Sequence, residues 1–155
     1  MASTLDVRNF TRRSAPGLPY QKIAAAILPS WEISLVFAGE TRAKNLNIQL
    51  RDKDYIPNVL SYETSSTKKE RSGEIIICPS VAKKQAPDYE LPYAAFVGFL
   101  FIHGLLHLKG LRHGTTMDRY EREYLSRFIP VSTFSSKSPH GPTHRNRNRH
   151  RNAPD

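Results

Sequence analysis

Apolar residues along this chain recur in two rhythms, and each change of rhythm marks an element. Leu18 to Leu28 (LPYQKIAAAIL) spaces its apolar side chains for one face of a short helix, and Pro29 stops it. Ile33 to Phe37 (ISLVF) is a continuous apolar run ended by Ala38-Gly39. Leu46 to Leu50 (LNIQL) alternates apolar with polar, which predicts a strand buried on one face. Asn58 to Tyr62 (NVLSY) and Glu74 to Cys78 (EIIIC) complete four strand candidates, the last closed by Pro79. The polar, glycine-ended stretch ETSSTKKERSG predicts a loop between them. Glu90 to Lys109 is the main helical segment, with Pro92 tolerated in its first turn. It is apolar nearly all round, which predicts burial against the sheet, and Gly110 is placed to end it. Thr116 to Phe128 (TMDRYEREYLSRF) predicts a charged, more exposed helix with Met117, Tyr120, Tyr124 and Phe128 along one side.

Beyond Pro130 the rhythm vanishes. Ser, Pro, His, Asn and Arg dominate and the chain ends HRNRNRHRNAPD, a composition that cannot bury a core and predicts a disordered basic tail. The chain therefore divides into an N-terminal extension (1–17), one domain (18–136) and the tail (137–155). Its 155 residues suffice for a core of that size, and no repeats are visible.

Charge changes the picture next. The chain carries +9, with 23 Lys and Arg against 14 Asp and Glu; the tail holds five basic residues and one acid, so residues 1–136 keep +5. That balance favours polyanionic partners such as RNA, DNA or anionic membrane. The single cysteine, Cys78, excludes an internal disulfide and fits a reducing cytosol, an organellar matrix being the alternative. At a strand end, Cys78 reads as core. MASTLDVRNFTRRSAPG lacks the apolar segment of a secretory signal. The longest apolar run, Ala94 to Leu108, is interrupted by His103 and His107 and falls short of the ~20 residues that cross a bilayer, so no membrane partner is expected.

Those interruptions carry the chemistry. Half of the six histidines lie in His103 to Gly114 (HGLLHLKGLRHG). On a helix, positions i and i+4 share a face, so His103 and His107 project together. His113 follows the helix-stopping Gly110, and the chain folding back offers a third nitrogen. Three imidazoles with one position open describe catalytic zinc, one ion per chain, another divalent transition metal being an alternative. The spacing matches the metzincin proteases, but the Glu that serves as their general base in H-E-x-x-H is here Gly104, which disfavours peptide hydrolysis.

At these residues the chain resembles the YbeY-type endoribonucleases, whose signature H-G-x-L-H-L-x-G-[YH]-D-H is similar to HGLLHLKGLRHG. LNIQLRDKDYIPNVLSYE, GEIIICPSVAKKQA and MDRYEREYL resemble three further family segments, in order, across about residues 33–128. The resemblance implies an α+β fold, a small mixed four-stranded sheet packed with helices, the buried central one carrying the metal-binding histidines. It implies a metal-dependent endoribonuclease of single-stranded RNA acting near the 3′ end of small-subunit rRNA, with small-subunit ribosomal components as partners. By position it gives His103, His107 and His113 the ligand roles, with His107 also in the catalytic set, and it puts Arg51 at the family's functional arginine.

Arg51 also fits from chemistry: a guanidinium at the end of a strand facing a cleft holds a phosphate bidentately and offsets charge developing in cleavage. Lys68, Lys69 and Arg71 are candidates for an RNA path. His140, His144 and His150, in the basic tail, read as nonspecific RNA contacts. Two positions depart from the family pattern: Arg112 replaces the Asp before the last histidine, removing a carboxylate that could orient a ligand but adding a charge that could grip phosphate, and Pro57 replaces a Thr. The leading reading is thus a zinc-dependent endoribonuclease. The alternatives are a non-catalytic, metal-containing RNA-binding factor of ribosome assembly, and a hydrolase of unrelated substrate.

Overall fold

Four strands make one mixed sheet in the computed structural model, which describes residues 3–67 and 69–130. The order of elements is β1 (Thr4–Asn9), α1 (Tyr20–Ile27), β2 (Trp31–Phe37), α2 (Glu40–Arg51), β3 (Val59–Ser66), β4 (Arg71–Ile77), α3 (Pro79–Gln85), a 3-10 turn (Ala86–Tyr89), α4 (Tyr93–Lys109) and α5 (Thr115–Phe128). Across the sheet the strands lie β1-β2-β4-β3. β1 and β4 both run parallel to β2, and β3 is antiparallel to β4, with Val59 opposite Ile77. The fold is α+β with four strands, as expected.

Alternation along the strands gives the sheet two apolar faces of unequal size. Ile33, Leu35 and Phe37 of β2, with Val59 of β3 and Ile75 and Ile77 of β4, join α1, α4 and α5 in the main core. The intervening Val36, Leu60 and Ile76, with Ala38, form a smaller cluster against Leu46 of α2. Every residue of α4 from Ala95 to Leu106 is buried. Its all-round hydrophobicity follows from its place, with the sheet on one side and α1 and α5 on others. No single helix among the described residues is long and apolar enough to cross a membrane.

Several elements differ from the sequence reading. LNIQL is not a strand but the last half of α2. Its alternating Ile48 and Leu50 are exposed, and the buried side chains are Ala43 and Asn47, one helical turn apart. Of the three apolar residues in that two-residue rhythm, Leu46 alone is half-buried, against the smaller cluster. Asn47 is buried because its amide holds the next loop, donating to the Tyr55 carbonyl at 3.1 Å, and Asp52 ends the helix in the left-handed region at φ 56°. The fourth strand is instead β1, inside the segment set apart as an N-terminal extension. Leu5 alone of its side chains is half-buried, and its backbone pairs with β2. Most of the polar loop is hairpin: β3 runs to Ser66 and β4 begins at Arg71, with a register shift between Glu63 and Ser65. Pro79 does not only close β4. It opens α3, where its missing N–H costs nothing. The tail lies outside the described residues.

Candidate metal centre

Helix α4 supplies two of the three histidines from one face. His103 is 6% exposed, and His107, one turn on, is half-buried. Between them Gly104 faces the sheet, where a Cβ would stand 3.1 Å from Ile75 Cγ2. The position that carries a general base in H-E-x-x-H proteases thus points into packed core here. A carboxylate has no room there.

The end of α4 delivers the third. Gly110 takes φ 109°, which a side chain resists. Its N–H donates to the His107 carbonyl at 3.0 Å and that of Leu111 donates to the Leu106 carbonyl at 3.0 Å, a Schellman closure. The reversal swings His113 back over α4 and also aims the Leu111 carbonyl at His107, whose Nδ1 lies 3.1 Å away. A carbonyl only accepts, so Nδ1 of His107 carries the ring proton and Nε2 is left with a lone pair. His103 is set the same way from α5: its Nδ1 hydrogen-bonds the carboxylate of Glu121, which is 4% exposed.

The three Nε2 atoms converge. His103 to His107 is 3.0 Å, His107 to His113 is 3.3 Å and His113 to His103 is 3.2 Å. Ligands at about 2.0–2.1 Å from a tetrahedral zinc stand about 3.3–3.4 Å apart, so the triangle is close to the size of a zinc face. The tautomers make the case stronger. Two lone pairs aimed at each other across 3.0 Å repel, and a shared cation turns that repulsion into coordination. Among the described residues this is the one cluster of His, Cys, Asp or Glu with ligand atoms gathered in this way. On its open side, His107, Gly110, Leu111, Arg112 and His113 line a cavity of about 550 Å³.

The remaining candidates come from other elements and loops. Arg51 lies at the end of a helix, not of a strand: it is the last residue of α2, its Nη1 donating to Asn47 Oδ1 at 3.3 Å and to the Tyr55 hydroxyl at 3.5 Å. Arg112 is exposed on the rim of the cavity. Arg71 clamps the β3–β4 hairpin, its Nη2 2.8 Å from Glu63 Oε2 and its guanidinium over the Trp31 ring at 4.5 Å. Lys69 is exposed in the turn between those strands, and Lys68 lies outside the described residues. Cys78 is buried, its Sγ 3.6 Å from Ser80 Oγ. His140, His144 and His150 lie outside the described residues. Two groups were missed from sequence, Glu121 and the Leu111 carbonyl. Glu121 had a signal. It falls four residues after Met117 and four before Leu125, on the buried stripe of α5, where an acid needs a partner.

Comparison with known proteins places the chain among named relatives. The family profile described as Endoribonuclease YbeY matches residues 9–129. A protein of Bdellovibrio bacteriovorus named Endoribonuclease YbeY is 34% identical over 99 residues, covering 64% of this chain and 65% of that one. Its namesake in Aromatoleum aromaticum is 26% identical over 136 residues, covering 88% and 87%. In three dimensions, the solution structure of a Thermotoga maritima protein overlays 89% of this chain and 99% of its own with a TM-score of 0.58 at 20% identity, a likeness of fold.

Proposed function

The chain belongs to the YbeY endoribonuclease family, and on that premise we propose that it is a zinc-dependent endoribonuclease of single-stranded RNA. The observation that carries the proposal is the triangle of Nε2 atoms at the mouth of a cavity. When bound there, zinc supplies Lewis acidity to water and to a phosphodiester oxygen at neutral pH.

The chain's own groups do the rest. Glu121 and the Leu111 carbonyl hold protons on Nδ1 of His103 and His107, keeping both Nε2 atoms as donors of electron pairs. The carboxylate that the family pattern places before the last histidine is absent; Glu121 of α5 serves His103. Arg112, on the cavity rim, binds a phosphate flanking the scissile one. Arg51, at the family's arginine position, binds the scissile phosphate and offsets its developing charge. A recess of this size takes a splayed single strand, whose backbone bends into it, in preference to a stiff duplex. The open side favours catalysis over a purely structural metal, which a fourth protein ligand would close.

The family resemblance extends the proposal to rRNA: the substrate lies near the 3′ end of small-subunit rRNA, and small-subunit ribosomal components are the partners. The compartment is reducing. The test is cleavage of a labelled single-stranded RNA by zinc-loaded protein, by chelated protein and by His107→Ala. Cleavage is expected in the first alone, and zinc added back should restore the chelated wild type but not the variant. Equal cleavage by all three would remove the histidines from the reaction.

A further inference from the structure

On the edge of the sheet farthest from the metal centre stands a second surface of a different kind. α4 packs over β3 and β4, whereas β1 is the opposite edge strand, three strand spacings or about 14 Å from β3. Where β1 ends, Phe10 is 55% exposed, the most exposed large apolar side chain among the described residues. Its backbone is fixed, the N–H donating to the Phe37 carbonyl at 2.9 Å. The turn that presents it is stapled by Asn9, whose Nδ2 donates to the Arg13 carbonyl at 2.7 Å and whose Oδ1 accepts from the Thr11 N–H at 2.9 Å and from the Thr11 hydroxyl at 2.7 Å. Arg42 of α2 lays its guanidinium on the ring, 4.6 Å from the centroid. With one face so covered and the side chain still more than half exposed, the other face is open to solvent. Arg8, Arg12 and Arg13, its neighbours along the chain, are exposed, and Asp6, bonded to Arg8 at 2.9 Å, is the one carboxylate in residues 3–13.

We infer that this turn is a platform for single-stranded RNA, a base stacking on the open face of Phe10 while Arg12, Arg13 and Arg42 bind the flanking phosphates. A rigid aromatic set among guanidiniums is the arrangement that holds unpaired nucleotides, because every base has a stacking face and every linkage a charge. Duplex RNA has no unstacked base to offer. An anionic membrane fits less well, since the ring lies under the Arg42 guanidinium in an arginine-rich turn without the contiguous apolar surface that inserts into lipid. The inference rests on the proposed RNA substrate and adds to it: strands long enough to reach from the β1 edge to the metal centre bind at both.

The test is fluorescence anisotropy of a 3′-labelled oligouridine twelve-mer and of a trimer, in the cold, with wild type, Phe10→Ala and Phe10→Trp, each checked for an unchanged melting temperature. Phe10→Ala is expected to weaken twelve-mer binding by about fivefold or more, the effect of one stacked base, and Phe10→Trp to restore it. Cleavage of the trimer should proceed with an unchanged kcat in both variants. Wild-type binding of the twelve-mer that Phe10→Ala leaves intact overturns the platform and spares the proposed activity. No binding by wild type overturns both. Phosphatidylserine vesicles that bind in a Phe10-dependent way, with RNA binding indifferent to Phe10, assign the surface to lipid and overturn the inference.

Discussion

Replacing Glu121 separates a group that tunes the metal from one that merely fills the core. The wild-type carboxylate is buried and accepts the Nδ1 proton of His103. Glu121→Gln keeps the volume and an acceptor oxygen but removes the charge. A hydrogen bond to a charged group contributes about 1.5–3 kcal/mol and a neutral one about 0.5–1.5. The difference, about 1–1.5 kcal/mol, is roughly tenfold in a binding constant. Glu121→Ala removes the acceptor as well, leaving a buried N–H unsatisfied at about 1–3 kcal/mol, so its loss approaches about 100-fold, the upper range for partners of metal ligands. Stability of the metal-free protein moves differently. Glutamine carries no ionic desolvation cost, so Glu121→Gln should melt no lower than wild type without metal, whereas Ala leaves a cavity and melts lower. Zinc affinity is read by competition with a chromophoric chelator, and melting by circular dichroism in excess EDTA. Wild-type zinc affinity in Glu121→Gln, or a collapse of its metal-free melting temperature, would refute the reasoning.

Other perturbations follow from the same geometry. Arg51→Glu should abolish cleavage while lowering stability by less than ~1 kcal/mol, the range for a misplaced charge at a helix end; a large drop in melting temperature would make Arg51 structural. Deleting residues 137–155 removes five basic side chains and should flatten the salt dependence of RNA binding by ~0.7 in slope per lost phosphate contact, with metal content intact; an unchanged slope would deny the tail an RNA role. Gly104→Glu, which restores the H-E-x-x-H pattern, should yield an unstable protein and no protease, because Ile75 already occupies the space; a stable variant would contradict the packing. Burial first, and then the hydrogen bond to Glu74, push the Tyr62 phenol up to about 12. A raised pKa favours the folded state fully below the unfolded value near 10, and that contribution fades as pH rises from 10 to 12. Tyr62→Phe should therefore flatten the fall of the urea midpoint over that window, and an identical fall in both proteins would count against it.

The histidine centre was legible because it obeys local rules. A four-residue step on a helix, a glycine that can turn left-handed and a third histidine just beyond it are all contained in twelve residues. What orients them was less so. Glu121 comes from another helix, eighteen residues along the chain, and the Leu111 carbonyl is backbone, with no residue type to announce it. β4 and the main helix were readable because burial dictates their apolar runs. β1 was not, since an edge strand with one half-buried side chain is held by backbone pairing, which composition does not record. In α2, exposed Ile48 and Leu50 imitated a strand, while the true buried stripe included the polar Asn47, kept inside by its bond to a loop carbonyl. Local patterns fail where partners are distant in sequence or made of backbone.

The metal-to-protein ratio tests directly whether the three imidazoles hold one metal ion. Wild-type protein saturated with zinc and freed of excess by gel filtration should retain about one zinc per chain by elemental analysis, and His107→Ala, treated identically, should retain almost none. Equal retention by the two proteins, or a wild type that emerges without zinc, would contradict the centre built from His103, His107 and His113.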